Sequence, residues 1–160
     1  MTVPHIYKDF LLHTDASQAC SGAALSQLRP DELPHPICYL SKAMTKAEKN
    51  YSVTYKELLA VVIAFKRLRH YLLGRHTTVY TDHAPLKGLL QHPELASSRV
   101  ARWCMILAEY DFEIVYRERK FNKNADALSR LPVIHHEEEA AIEHVDVMIL
   151  CLAVTNGMMI

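Results

Sequence analysis

The chain is 160 residues long, half of it apolar and 22% charged, which suits one globular domain and excludes both two full enzymes and a wholly disordered chain. Basic and acidic residues balance at 18 each, so overall charge selects no partner. Their distribution does more: all 18 basic residues precede Val133 with 13 of the acids, while the last 28 residues hold five acids and no lysine or arginine. Body and tail therefore carry +5 and −5. The four cysteines are widely spaced, without a Cys-x-x-Cys pair, and signal neither a zinc knuckle nor a disulfide framework. The first residues lack the basic leader and apolar run of a secretory signal, so export is not expected.

Phe10–Thr14 is a short apolar run ending at Asp15, and Gly22–Gln27 follows a small polar turn; together they predict a hairpin. After the proline-broken loop Pro30–Pro36, Ile37–Leu40 predicts a third strand in an antiparallel meander. From Ser52 the period changes. Leu58, Val61, Val62, Phe65, Leu68 and Leu72 recur at steps of three and four, which predicts a long amphipathic helix capped by Ser52 or Thr54 and stopped by Gly74. Thr77–Thr81 is a β-branched strand, and Pro85 opens a short helical turn through Leu90. A helix from Ser97 or Ser98 carries Val100, Trp103, Cys104 and Leu107 on one face, and Phe112–Tyr116 reads as the last strand. The polar loop Arg117–Asn122 leads to a short helix ending near Arg130, with Pro132 beyond it. From Val133 the chain turns acidic like a linker, and the apolar run Val147–Val154 is far shorter than the roughly 20 residues that span a bilayer.

LLHTDA and TVYTDH each place an aspartate where a strand finishes. Catalytic groups gather beyond the carboxyl ends of parallel strands, and if these two strands adjoin, Asp15 and Asp82 lie about 5 Å apart. Glu57, in the first turn of the long helix beside its apolar stripe, can face the same point, and Asp126 can bring a fourth acid from the last short helix. Four converging carboxylates repel one another unless cations sit among them. Hard oxygen ligands suit Mg²⁺ or Mn²⁺, and two such ions about 4 Å apart fit phosphodiester hydrolysis. On spacing alone, scattered acids at helix starts are more often caps or dipole partners than metal ligands.

The strings LLHTDAS, GAALSQ, PICYLSKAMTKAEKNYSVTYKELLAVV, RHYLLG, VYTDHAPLKGLL, RWCMILAEYDFEIVY and NADALSR, in that order, closely resemble the ribonuclease H domain of gypsy-type LTR retrotransposon polyproteins. The resemblance runs from about Phe10 to Pro132 and includes all four acids. It implies an α/β ribonuclease H-like fold, with a five-stranded mixed sheet of order 3-2-1-4-5 flanked by helices, that cleaves RNA in an RNA/DNA hybrid. Asp15 is similar to the acid that bridges two metal ions, Glu57 and Asp82 to the other ligands of one ion, and Asp126 to the ligand of the second. Asn122 stands where the family has an asparagine near the substrate. Cellular relatives carry a histidine in the loop before the last acid; here that loop is RERKFN, with Arg119 near its place and no glycine, which implies slower turnover.

The resemblance divides the chain into residues 1–9, the end of a connection from a polymerase; 10–132, the ribonuclease H-like domain; and 133–160, a linker toward an integrase. The polymerase itself is absent from the chain. Implied partners are the hybrid and those two modules, in the cytoplasm or a virus-like particle, with no membrane. A polyanionic substrate calls for cations: Arg119, Lys120 and Lys123 flank the acids, while Arg99 and Arg102 lie on a helix and Lys66, Arg67 and Arg69 equally suit a helix C-terminus. His13 and His83 read as packing residues, and Trp103, Tyr110 and Phe112 as core. The alternative function is a catalytically silent nucleic-acid-binding or structural remnant of the same domain.

Overall fold

The structure, a computed structural model, describes residues 4–5, 8–92, 97–118, 120, 122–130 and 147–150. Strands β1 (Phe10–Ala16), β2 (Cys20–Leu28) and β3 (Pro34–Ala43) precede helices α1 (Val53–Arg67) and α2 (Arg69–Leu72). Next come β4 (Thr77–Thr81), α3 (Pro85–Gln91), α4 (Ser98–Leu107), β5 (Phe112–Tyr116), α5 (Lys123–Ser129) and β6 (Val147–Leu150). The sheet order is β5-β4-β1-β2-β3-β6. Its first five strands form the expected mixed sheet of order 3-2-1-4-5: β1, β4 and β5 run parallel, and β2 and β3 return antiparallel. The sixth, from the tail, pairs antiparallel with Tyr39–Lys42 of β3 and covers an otherwise open edge.

Strand alternation assigns two jobs to the two faces of the sheet. Phe10, Leu12, Ala23, Leu25 and Leu40 point into one core with Leu58, Val61, Val62 and Phe65 of α1. Their neighbours Asp15, Gly22 and Ser41, partners across β1, β2 and β3, form a row on the other face, beneath α5. Covered on both sides, β2 is buried along all but its last residue. Among the described residues no helix is long and apolar enough to cross a membrane.

Ser52 caps α1 by accepting the Tyr55 N–H at 3.3 Å, and Gly74 closes the helical segment at φ +73°, as their residue types predict. The single long helix expected through Leu72 is broken at Leu68 (φ −99°, ψ 17°), a bend that lets buried Leu68 and Leu72 both reach the core. β3 starts three residues earlier than expected. Pro34 and Pro36 are tolerated there because β6 does not cover that stretch and the β2–β3 register shifts between Leu25 and Ser26.

Between β3 and α1, Lys42 Nζ lies 2.9 and 2.7 Å from the two carboxylate oxygens of Glu48. Glu48 and Thr45 also cap each other, the Thr45 N–H donating to Oε2 at 2.8 Å and the Glu48 N–H to Oγ1 at 3.2 Å. Burial alone pushes the Glu48 carboxyl up; the Lys42 ammonium and the Thr45 donors outweigh it and hold it below the usual carboxylate range. Because the unfolded chain then binds the proton more tightly, this pair stabilises the fold above the ordinary carboxylate pKa and is lost as pH falls through the folded one. Glu48→Gln is expected to cost about 2 kcal/mol at neutral pH. Denaturant unfolding of both proteins across acidic pH checks this: the gap narrows as pH falls below the ordinary carboxylate value.

Candidate active site

The parallel register that pairs Phe10 with Thr77 and His13 with Tyr80, carried two residues on, brings Asp15 opposite Asp82. Glu57, one turn into α1, reaches past the end of β1, where the Ala16 N–H donates to its Oε1 at 3.3 Å. Asp15 and Glu57 are buried, at 1% and 4% exposure, and Asp82 is half-buried. One carboxylate oxygen from each of the three lies within 4.8 Å of the other two. Oxygens sharing one Mg²⁺ at about 2.1 Å stand about 3 Å apart when adjacent and about 4.2 Å apart when opposite, so the triad can close on a hard divalent cation by side-chain rotation. Three carboxylates this close, two of them out of water, repel one another, and a divalent cation among them would offset that repulsion.

Asp126, in the first turn of α5, does not join that group. Its Oδ1 accepts from Nε of Arg130 at 3.0 Å and pairs with Nη2, also at 3.0 Å, Arg130 being the C-cap one turn further along. The helix itself is locked onto the triad: the Ser129 hydroxyl donates to Asp15 Oδ2 at 2.5 Å and the Ser41 hydroxyl to the Leu128 carbonyl at 2.8 Å. Ser17 Oγ donates to the Ser129 carbonyl at 2.5 Å. Gly22 makes this approach feasible. A Cβ there would stand 2.5 Å from the Ala125 carbonyl oxygen and 2.6 Å from the Ser129 nitrogen.

Asn122 is buried at the start of α5 and ties it to β1. Its Nδ2 donates to the Thr14 carbonyl at 2.9 Å, so its Oδ1 faces His13 Nδ1 at 3.0 Å, which must carry the proton. Burial lowers the His13 pKa; the Asn122 contact opposes this and Arg117 adds to it. The imidazole stacks on Tyr80 at 4.8 Å, with the Arg117 guanidinium 5.1 Å from that ring. Asn122→Ala strands a buried carbonyl and a ring N–H together and is expected to cost about 2 kcal/mol. Urea unfolding measures it, and a loss below 0.5 kcal/mol, roughly that of a surface change, would contradict this bracing.

Lys120 is exposed, lies 2.6 Å from Glu118 Oε2, and lines a hollow of about 290 Å³ with Arg117, Asn122 and Asn124. Arg119 and the Lys123 side chain lie outside the described residues. Arg69 is bound to Glu109, and Arg99 sits 4.5 Å over the Tyr51 ring. His83 Nε2 meets Thr54 Oγ1 at 2.9 Å, and Trp103 packs with Tyr51 and Tyr55 against the core. Sequence reasoning missed Ser129, Gly22 and Arg130 as parts of the site. Their string neighbours carry no local pattern that separates them from ordinary helix and strand residues; only the packing of α5 does.

A parallel-centred sheet with acids at the adjoining ends of β1 and β4 defines a ribonuclease H-like domain. The family described as the RNase H-like domain found in reverse transcriptase matches residues 5–110. The chain is 42% identical over 146 residues to the retrovirus-related Pol polyprotein from transposon 297 of Drosophila melanogaster, covering 90% of this chain and 13% of that polyprotein. Solved structures that share the fold include foamy viral protease-reverse transcriptase in complex with RNA/DNA hybrid and RNase H1 from the halophilic archaeon Halobacterium salinarum. The first has a TM-score of 0.58 and 18% identity over 85% of this chain and 18% of that one. The second has 0.54 and 12%, over 76% and 92%. The chain belongs to the RNase H-like domains of reverse transcriptases, within the ribonuclease H class of hydrolases, and its relatives include transposon polyproteins.

Proposed function

We propose that this chain hydrolyses the RNA strand of RNA/DNA hybrids at Asp15, Glu57 and Asp82, with Asp126, as the ribonuclease H module of a gypsy-type retrotransposon reverse transcriptase. The convergence of the three carboxylates is the observation that carries it. Asp15, Glu57 and Asp82 would hold one divalent ion and Asp15 with Asp126 the second, Mg²⁺ or Mn²⁺ by donor chemistry. When bound, such ions polarise the phosphate and supply a nucleophilic water. The chain's own part is orientation. Ser129 holds the Asp15 carboxylate, the Ala16 amide holds that of Glu57, and the Asn122–His13 contact holds the start of the helix that bears Asp126.

The hybrid in the foamy viral complex supports the substrate class, and the polyprotein relative supports neighbouring polymerase and integrase modules. The module spans residues 10–132, with β6 added from the tail, and works inside the cell or a virus-like particle. An end-labelled RNA/DNA hybrid tests the activity: with Mg²⁺ or Mn²⁺ its RNA strand is cut while duplex DNA is not. The pairing of Asp126 with Arg130 favours a second reading, a silent domain that tethers nucleic acid; binding without cleavage would select it.

A further inference from the structure

Among the described residues two lysines are buried, and their surroundings differ. Lys42 has its carboxylate partner, Glu48, at 2.7 Å. Lys56, on α1 immediately before Glu57, is 5% exposed. Its Nζ donates to the neutral Gln18 Oε1 at 2.6 Å, and among the described residues no carboxylate pairs with it. A buried ammonium held only by an amide is costly unless an anion completes its shell. Lys56 faces a hollow of about 230 Å³ whose walls are Ala16, Ser17, Gln18, Val53 and Arg130. The hollow adjoins the acids on both sides: Ala16–Gln18 directly follow Asp15, and Arg130 reaches from it to the Asp126 carboxylate.

A negative hollow beside a positive one suits a polyanionic strand whose charge is neutralised by ions at one phosphate and by side chains at the next. We infer that Lys56, with Arg130, forms a binding site for a backbone phosphate of the nucleic acid, next to the phosphate that lies over the triad. This deepens the nuclease reading and rests on it. The ammonium supplies a point charge held in place by Gln18, so the contact favours phosphate without reading bases.

The test measures hybrid affinity against salt in an Asp15→Asn background, using a set of hybrids with one neutral methylphosphonate at each position in turn, in the RNA or the DNA strand. With Lys56 present, one position near the cleavage site is expected to lose about tenfold in affinity when neutralised, and its strand identifies which backbone is held. Lys56→Met should weaken the unmodified hybrid about tenfold, reduce the salt slope by about one, and abolish the penalty at that position. Lys56→Arg should keep both slope and penalty, and Arg130→Met reads the same hollow from its exposed side should Lys56→Met not fold. Equal slopes and equal sensitivity in Lys56→Met and its parent would overturn the phosphate site while leaving hybrid cleavage standing. Failure of the unsubstituted chain to bind or cut the hybrid overturns both.

Discussion

Asp15→Asn and Glu57→Gln are each expected to lower RNA cleavage in the hybrid at least about a thousandfold, more than the 10- to 100-fold typical when only a partner of a metal ligand is removed. Both substitutions keep the shape of the side chain and delete one charge from a group whose oxygens lie within 4.8 Å. Removing like charge from this cluster relieves repulsion, so without divalent ions the variants should unfold at or above the parent's midpoint. The parent alone should gain stability with added Mg²⁺, as any ligand that binds only the folded state provides. Thermal unfolding with and without Mg²⁺, beside the cleavage assay, checks both halves. Cleavage within tenfold of the parent in either variant would remove the triad from the chemistry.

Gly22→Ala is expected to destabilise the fold by about 3 kcal/mol, the upper part of the range for overpacking, because the atoms a new Cβ meets are backbone and cannot rotate away. The Ala125 carbonyl oxygen at 2.5 Å and the Leu128 carbonyl carbon at 2.9 Å both belong to α5. The helix must lift from β2, carrying Ser129 off Asp15 and moving Asp126. Cleavage should therefore fall by more than the folded fraction explains, with the unfolding midpoint down on the order of 10 °C. Denaturant unfolding combined with activity at a temperature where the variant is fully folded separates the two effects. Unchanged activity there would show that α5 does not need its close seat on β2.

Much of the fold was legible because it is written in short-range periodicity. The α1 stripe, its Ser52 cap, the Gly74 stop and the bounds of β4 and β5 match their local patterns. The bend at Leu68, the early start of β3 and the pairing of β6 with β3 were not legible. Each depends on what lies across the chain: which buried leucines must share one core, which edge of β3 is uncovered, and where an apolar tail finds open N–H and C=O groups. Within the site, three of the four acids meet as their positions at strand ends and a helix start suggested. The fourth has a cation one turn away, at the C-cap of its own helix, and a 3.0 Å contact decides its orientation.

The sequence by itself determined the kind of chemistry: acids at strand ends in an order matching one family, on a body with excess positive charge. Tertiary structure decided the rest, including which carboxylates share a hollow, that Ser129 and Gly22 shape it, and that buried Lys56 is held by the Gln18 amide. Periodicity records only neighbours within a turn or two. The energies of desolvated charge and backbone contact depend on groups up to 114 residues apart, brought together by the sheet register and the seat of α5.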